Sequence, residues 1–369
     1  MKTLFEPARV GGLALKNRLL RSATFERALD AQGDFLPVLA PIYEKLAQGG
    51  LGAIITGMFA TDARARVTPS MVKAYDEAML PQLTELARLV QARGCKLVVQ
   101  LSHCGLKATP DDGSAPLGPS RWEVAEGKFA EAMSEEQIAA TVRGFAQAAA
   151  LCQKAGVDAV QIHGAHGYLL SQFLSPYYNK RQDAYGGPML QDAYGGDISG
   201  RGRIVLEAYR AVRESVGKDF PVWVKINCKD LLEGGGSTAD YFRICRELDR
   251  LGIDAIELSA GLGTGRASNP AQPVRDASEE GSYAAEAVEL AALVKTDVIS
   301  VGGYRSPAIM EEWLNKGGIK ALSLSRPLIR EPDLAARWAA GDASGAACIS
   351  CNKCFRPKGA FGCQLLENN

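Results

Sequence analysis

The sequence predicts an α/β chain closed into a (β/α)8 barrel of the TIM type, and three observations predict it. Short apolar runs rich in β-branched residues alternate with longer amphipathic stretches along nearly the whole chain, the pattern of β-α units around a parallel sheet. These runs number eight, which suits a closed barrel better than a doubly wound sheet. No linker rich in Pro, Ser or charge divides the 369 residues, so one domain over 1–341 carries only a short Cys-rich C-terminal extension, 342–369.

In chain order the expected strands are 19–23, 52–57, 96–101, 159–163, 222–227, 255–260, 298–302 and 321–325. Helix starts are equally legible. Ser134-Glu-Glu-Gln137 has the form of a capping box, and Thr238-Ala-Asp240 opens a helix after the Gly234-Gly-Gly236 loop. The loop after the fourth strand repeats itself, with Gln182-Asp-Ala-Tyr-Gly-Gly187 followed by Gln191-Asp-Ala-Tyr-Gly-Gly196, which reads as a loop insertion because a solenoid needs more copies.

Charge and composition exclude several function classes. Lys plus Arg equals Asp plus Glu at 42 each, so no basic field exists to attract nucleic acid or anionic lipid, and a small molecule is the expected partner. The N-terminal residues lack the apolar stretch of a signal peptide and no later run reaches the roughly 18 apolar residues of a membrane span, so a cytoplasmic location is expected. Nine cysteines without a secretion signal argue for reduced thiols or a metal site over a disulfide framework.

In such a barrel the active site lies at the C-terminal ends of the strands. The fourth run ends in His163-Gly-Ala-His166-Gly-Tyr168, two of the three histidines of the chain and a phenol within six residues. Three readings are open. With His103 the pair would make a three-histidine zinc site, although the helical spacing and intervening Glu of the familiar zinc motif are absent. The rings would otherwise pack or cap, or two neutral imidazole N–H groups would hold a substrate carbonyl oxygen with Tyr168 as proton donor, the reading favoured here. Lys225 ends a strand whose other members are mostly apolar, so it needs either an internal carboxylate or a bound group that becomes anionic, and Gln100 can read an amide-like edge beside it. Runs seven and eight end in Gly302-Gly303 and Ser325-Arg326, where backbone N–H groups and a guanidinium can clamp a phosphate.

Taken as an ordered series, these residues resemble the old yellow enzyme family of FMN-dependent ene-reductases. The series runs Leu4-Phe-Glu-Pro7 with Leu15-Lys-Asn-Arg18, Arg21-Ser-Ala-Thr24, Val99-Gln-Leu-Ser-His103, His163 to Tyr168, Phe173-Leu-Ser-Pro176 with Asn179-Lys-Arg181, Tyr194-Gly-Gly196 and Ser323-Leu-Ser-Arg-Pro327. The resemblance implies that Ala23, Thr24, Gly57, Gln100, Lys225, Gly302, Gly303, Ser325 and Arg326 surround FMN, with Lys225 near the flavin N1/O2 edge. It implies that His163 and His166 bind the carbonyl of an activated alkene, that hydride passes from flavin N5 to the β-carbon, and that Tyr168 protonates the α-carbon. NADH or NADPH would reduce the flavin first, and the protein would be a homo-oligomer, dimer or tetramer. Three departures stand out: Leu106 where many relatives carry Arg, Thr24 where other branches place Cys, and the Tyr-Gly-Gly duplication. Amine demethylation or dehydrogenation and redox-neutral double-bond isomerisation fit the same barrel, and a barrel that only binds a ligand is the non-enzymatic alternative.

Cys348-x-x-Cys351-x-x-Cys354, with Cys363 nine residues later, has the thiolate number and spacing for one [4Fe–4S] cluster or a zinc site. It also looks like the cluster motif of the larger dienoyl-CoA and 2-enoate reductases, which space the third cysteine differently and continue into a second flavin domain. An empty or oxidised tail is the other reading.

Overall fold

A computed structural model of the chain describes residues 1–181, 197–355 and 361–366. A hairpin of β1 (Ala8–Val10) and β2 (Leu13–Leu15) precedes the barrel. The barrel strands are β3 (Leu19–Arg21), β4 (Ala53–Ala60), β5 (Lys96–Ser102), β9 (Ala159–Gly164), β10 (Val222–Asn227), β11 (Ala255–Ser259), β12 (Asp297–Val301) and β13 (Ala321–Leu324). They close in the order β10-β11-β12-β13-β3-β4-β5-β9, every pair parallel. Between β5 and β9 a small sheet of β6 (Leu117–Gly118), β7 (Trp122–Ala125) and β8 (Lys128–Ala132) fills the loop.

Each of the eight expected runs is a barrel strand, and the ends move for identifiable reasons. β3 stops at Arg21, where the chain turns so that the buried guanidinium meets the Glu26 carboxylate at 2.7 Å. β4 continues to Ala60 through a register shift against β5 between Ile55 and Met58. Gly57 therefore sits inside a bulged strand and not at its end. A Cβ there would lie 2.3 Å from Glu26 Oε2 and 2.6 Å from the Thr24 carbonyl, so glycine is required by the close approach of the two segments.

Helices pack outside the strands. In the helix Glu135–Lys154 the capping box forms, Gln137 N–H donating to Ser134 Oγ and Ser134 N–H to Gln137 Oε1. In the helix Thr238–Leu251 the cap is Ser237, one residue before the expected opening, paired with Asp240. No helix among the described residues is long and apolar enough to cross a membrane. The repeated Gln-Asp-Ala-Tyr-Gly-Gly segments lie outside the described residues.

The barrel interior is stratified. Its floor is apolar, with Val10, Leu13 and Leu15 of the hairpin packed against Leu20, Ile55, Val98, Trp223 and Ile299. Gly11, at φ +52°, lets the hairpin approach closely enough for the indole N–H of Trp223 to donate to its carbonyl at 2.8 Å. Above the floor lies a polar layer of Ser22, Gln100, Gln161, Lys225, Glu257 and Ser323, and above that opens a cavity at the C-terminal ends of the strands. The segment 342–366 holds no strand among its described residues and lies against this mouth, with the Arg305 guanidinium donating to the Cys348 carbonyl.

Candidate active site

The polar layer carries the buried charge. Glu257, on β11 and fully buried, accepts from Ser22 Oγ (2.7 Å), Ser323 Oγ (2.6 Å) and Gln161 Nε2 (2.9 Å), and lies 3.2 Å from Lys225 Nζ. Burial alone would raise its pKa, but Lys225 and the three donors outweigh burial and hold it below the ordinary value. Lys225 also donates to Ser22 Oγ at 2.6 Å. The carboxylate partner that a buried lysine requires is thus Glu257, which the sequence reading left as an unnamed Asp or Glu. Gln100 Nε2 donates to Gln161 Oε1 at 2.8 Å, completing a chain of side chains across five strands, β5, β9, β10, β11 and β13. Glu257 and Gln161 were missed as site residues. The signal was a single charge inside an otherwise apolar strand.

Above this layer the cavity, about 730 Å³, brings together Ala23, Thr24, Gln100, His163, His166, Tyr168, Lys225, Gly302, Gly303, Ser325 and Arg326. Gly57 is not among its lining residues, because the bulge sets it behind Thr24 and Glu26. His103 is not among them either. Its Nδ1 accepts from the Gly105 N–H and its Nε2 faces Asp62 at 3.5 Å, so the three histidines do not converge.

At one end of the cavity, the His163 ring stands 5.3 Å from that of His166 and 5.2 Å from that of Tyr168. His163 Nδ1 is buried and has no hydrogen-bond partner. His166 adopts φ +64°, a left-handed backbone that a histidine rarely takes, held because its N–H donates to Asn227 Oδ1 and its Nε2 meets Ser259 Oγ at 2.8 Å. Burial, followed by the charge of Lys225, pushes the His163 imidazolium down to about 3 and that of His166 well below the usual value, so both rings are neutral near pH 7. Burial raises the pKa of the Tyr168 phenol, which keeps its proton. Two neutral imidazoles and a protonated phenol can grip an oxygen and deliver a proton. Asn227 is a third residue missed by sequence reasoning. It ends a strand already singled out, and its amide also donates to the Gly261 carbonyl at 3.0 Å.

At the other end, Gly303 takes φ +70°, and a Cβ there would lie 2.5 Å from Val274. Thr24 Oγ1 and Ser325 Oγ are 2.8 Å apart. The Arg326 guanidinium donates to Asn352 Oδ1 (2.8 Å) and to the Gln272 carbonyl (2.9 Å), so its orientation is fixed partly by the C-terminal extension. Tyr283 presents a buried hydroxyl with no partner into the same space. Cys348, Cys351, Cys354 and Cys363 together line a smaller cavity beside Arg326 and Arg330, with Ser350 and Asn352 at positive φ between them. Among the described residues no three His, Cys, Asp or Glu side chains already form a closed ligand set.

The sequence profile of the NADH:flavin oxidoreductase / NADH oxidase family matches residues 3–344. The chain belongs to this family, the FMN-dependent old yellow enzyme superfamily. It is 32% identical to an NADPH dehydrogenase of Halalkalibacterium halodurans over 89% of this chain and 91% of that one. It is 31% identical to a metal reductase of Desulforamulus reducens over 96% of this chain and 51% of the relative, so the chain spans about half the length of that protein. Among solved structures, the Old Yellow Enzyme from a Pichia species superposes with a TM-score of 0.75 at 26% identity, covering 92% of this chain and 87% of that one.

Proposed function

We propose that the chain is an FMN-dependent ene-reductase that uses NADH or NADPH to reduce the C=C bond of α,β-unsaturated carbonyl compounds. The observation that carries this reading is the placement of two neutral histidines and a protonated tyrosine at one end of a cavity whose other end is lined by Gly302, Gly303 and Arg326. The cavity suits a bound cofactor. Its volume lies within the roughly 300–1,000 Å³ of ligand pockets, and the buried Tyr283 hydroxyl and His163 Nδ1 lack protein partners there. Ala23, Thr24, Gln100, Lys225, Gly302, Gly303, Ser325 and Arg326 would hold FMN, and Gly57 supports them from behind through its contact with Thr24.

FMN, when bound, supplies the hydride that it has taken from NAD(P)H. The residues of the chain do the rest. His163 and His166 each offer one N–H to the substrate carbonyl oxygen and stabilise the negative charge that develops there. Ser259 fixes the second of these rings and Asn227 holds its backbone, so the pair is organised before substrate arrives. Tyr168 O–H gives its proton to the α-carbon. Lys225, fixed by Ser22 and Glu257, presents its ammonium to the cavity. We further propose that Cys348, Cys351, Cys354 and Cys363 are the ligands of one metal centre, a [4Fe–4S] cluster ahead of zinc, because all four border one cavity.

The test is anaerobic. The purified protein is expected to be yellow, its flavin reduced by NADH or NADPH and reoxidised by an enone. A flavin that an amine reduces without NAD(P)H, and that enones leave reduced, would instead identify an amine dehydrogenase. Iron and zinc analysis decides the cysteine site, and less than one metal per chain would remove it.

A further inference from the structure

Lys107 lies on the short turn after β5 and its side chain reaches the cavity shared by His163, His166 and Tyr168. Its ammonium is held by two backbone carbonyls, those of His166 at 3.0 Å and Leu262 at 2.9 Å, and stands 5.0 Å from the centre of the Tyr168 ring. The neighbouring loops are shaped around it. Gly167 and Gly263 both take positive φ, +67° and +65°, and a Cβ on either would come within 3.0 and 3.2 Å of Nζ.

Among the described residues the charge at this position has no acidic counterpart: no Asp or Glu lies within ion-pair distance of Lys107, whereas Lys225 deeper in the same cavity has Glu257 at 3.2 Å. Burial lowers the Lys107 pKa to about 8, the sign of an ammonium desolvated without an acidic partner. An ammonium has three N–H donors and the two carbonyls take two of them. A peg that only tied the loops together would need those two bonds and no charge.

We propose that the substrate of this site carries a carboxylate, seated on the third N–H of Lys107 while the histidine pair grips its enone carbonyl. The proposal rests on the ene-reductase reading for the second contact alone. The neighbouring Tyr168 places the anionic group on the side of the substrate from which the proton arrives. Such a substrate balances the Lys107 ammonium beside the histidine pair, and a neutral analogue leaves that charge buried without an acidic partner.

The test compares trans-4-oxopent-2-enoate with its methyl ester, two enones that differ by one charge, on the FMN-loaded enzyme. The acid is expected to exceed the ester in kcat/KM by about tenfold or more. Lys107→Met is expected to bring that ratio close to one, and Lys107→Arg to keep it above one. Using a ratio cancels any general damage to the site. Titration calorimetry of both compounds with the oxidised holoenzyme gives a second readout that needs no turnover. A wild-type ratio at or below one, or a ratio that Lys107→Met leaves unchanged, overturns the proposal. If neither compound reoxidises reduced flavin, the ene-reductase reading falls, and tighter binding of acid than ester in the wild type but not in Lys107→Met still decides the carboxylate contact.

Discussion

The two ends of the cavity are built in different ways. At the histidine end, the barrel holds every reactive group itself: Ser259 ends β11, Asn227 ends β10, and both bond His166 directly. At the arginine end, Arg326 reaches outward to Asn352 and to the Gln272 carbonyl, and Cys354, Phe355 and Phe361 of the extension complete the lining. A strand terminus is fixed by the ladders on both sides, and an added segment is fixed only by its own few contacts. The chemistry therefore sits on rigid sheet, and the opposite end depends on a tail that can be perturbed separately.

Substitutions can break this contrast, beginning with the largest effect. Lys225→Met leaves Glu257 charged and buried in the layer beneath both ends, and is expected to cost about 3–5 kcal/mol of stability in denaturant titrations. His166→Ala removes one oxyanion donor and should lower kcat/KM for an enone about 10²- to 10³-fold, with FMN affinity retained. Tyr168→Phe should slow reoxidation of the reduced flavin by an enone about 10²-fold while leaving its reduction by NAD(P)H unaltered, as stopped-flow absorbance would show.

Acid should expose the histidine end. The folded protein keeps His163 neutral down to about pH 3, whereas the unfolded chain protonates it near 6.5. The unfolded state then binds the extra proton, so stability falls as pH drops from about 6.5 towards 3, by at most about 1.4 kcal/mol per pH unit for this group. Denaturation at a series of pH values should show a shallower acid-side slope for His163→Gln. Smallest of all, Asn352→Ala should weaken FMN binding by about 1 kcal/mol, the scale of one hydrogen bond, without altering the acid-to-ester preference. Equal losses at both ends from this last variant would erase the distinction.

Much of this was legible in the sequence, for physical reasons that particular residues illustrate. Buried parallel strands must be apolar, so all eight were visible as runs, and the His163 to Tyr168 tract was visible because it interrupts that pattern at a strand end. Gly57 shows the limit. Its glycine meets a real steric demand, but the demand comes from Glu26 across a bulge, and single-sequence periodicity does not register bulges. Glu257 and Lys107 were missed because their importance is relational. One is the carboxylate that Lys225 has, and the other is a lysine that has none.

The hairpin beneath the barrel sets a schedule for its assembly. Gly11 and Trp223, joined by the indole hydrogen bond, lie 212 positions apart in sequence. During synthesis the hairpin cannot complete its contacts until Trp223 of β10 and Ile299 of β12 have left the ribosome. Ring closure is then a late event dominated by distant pairings, and such topologies fold slowly. A barrel floor made from a hairpin that precedes the first barrel strand thus postpones completion of the native state until the later strands have been synthesised.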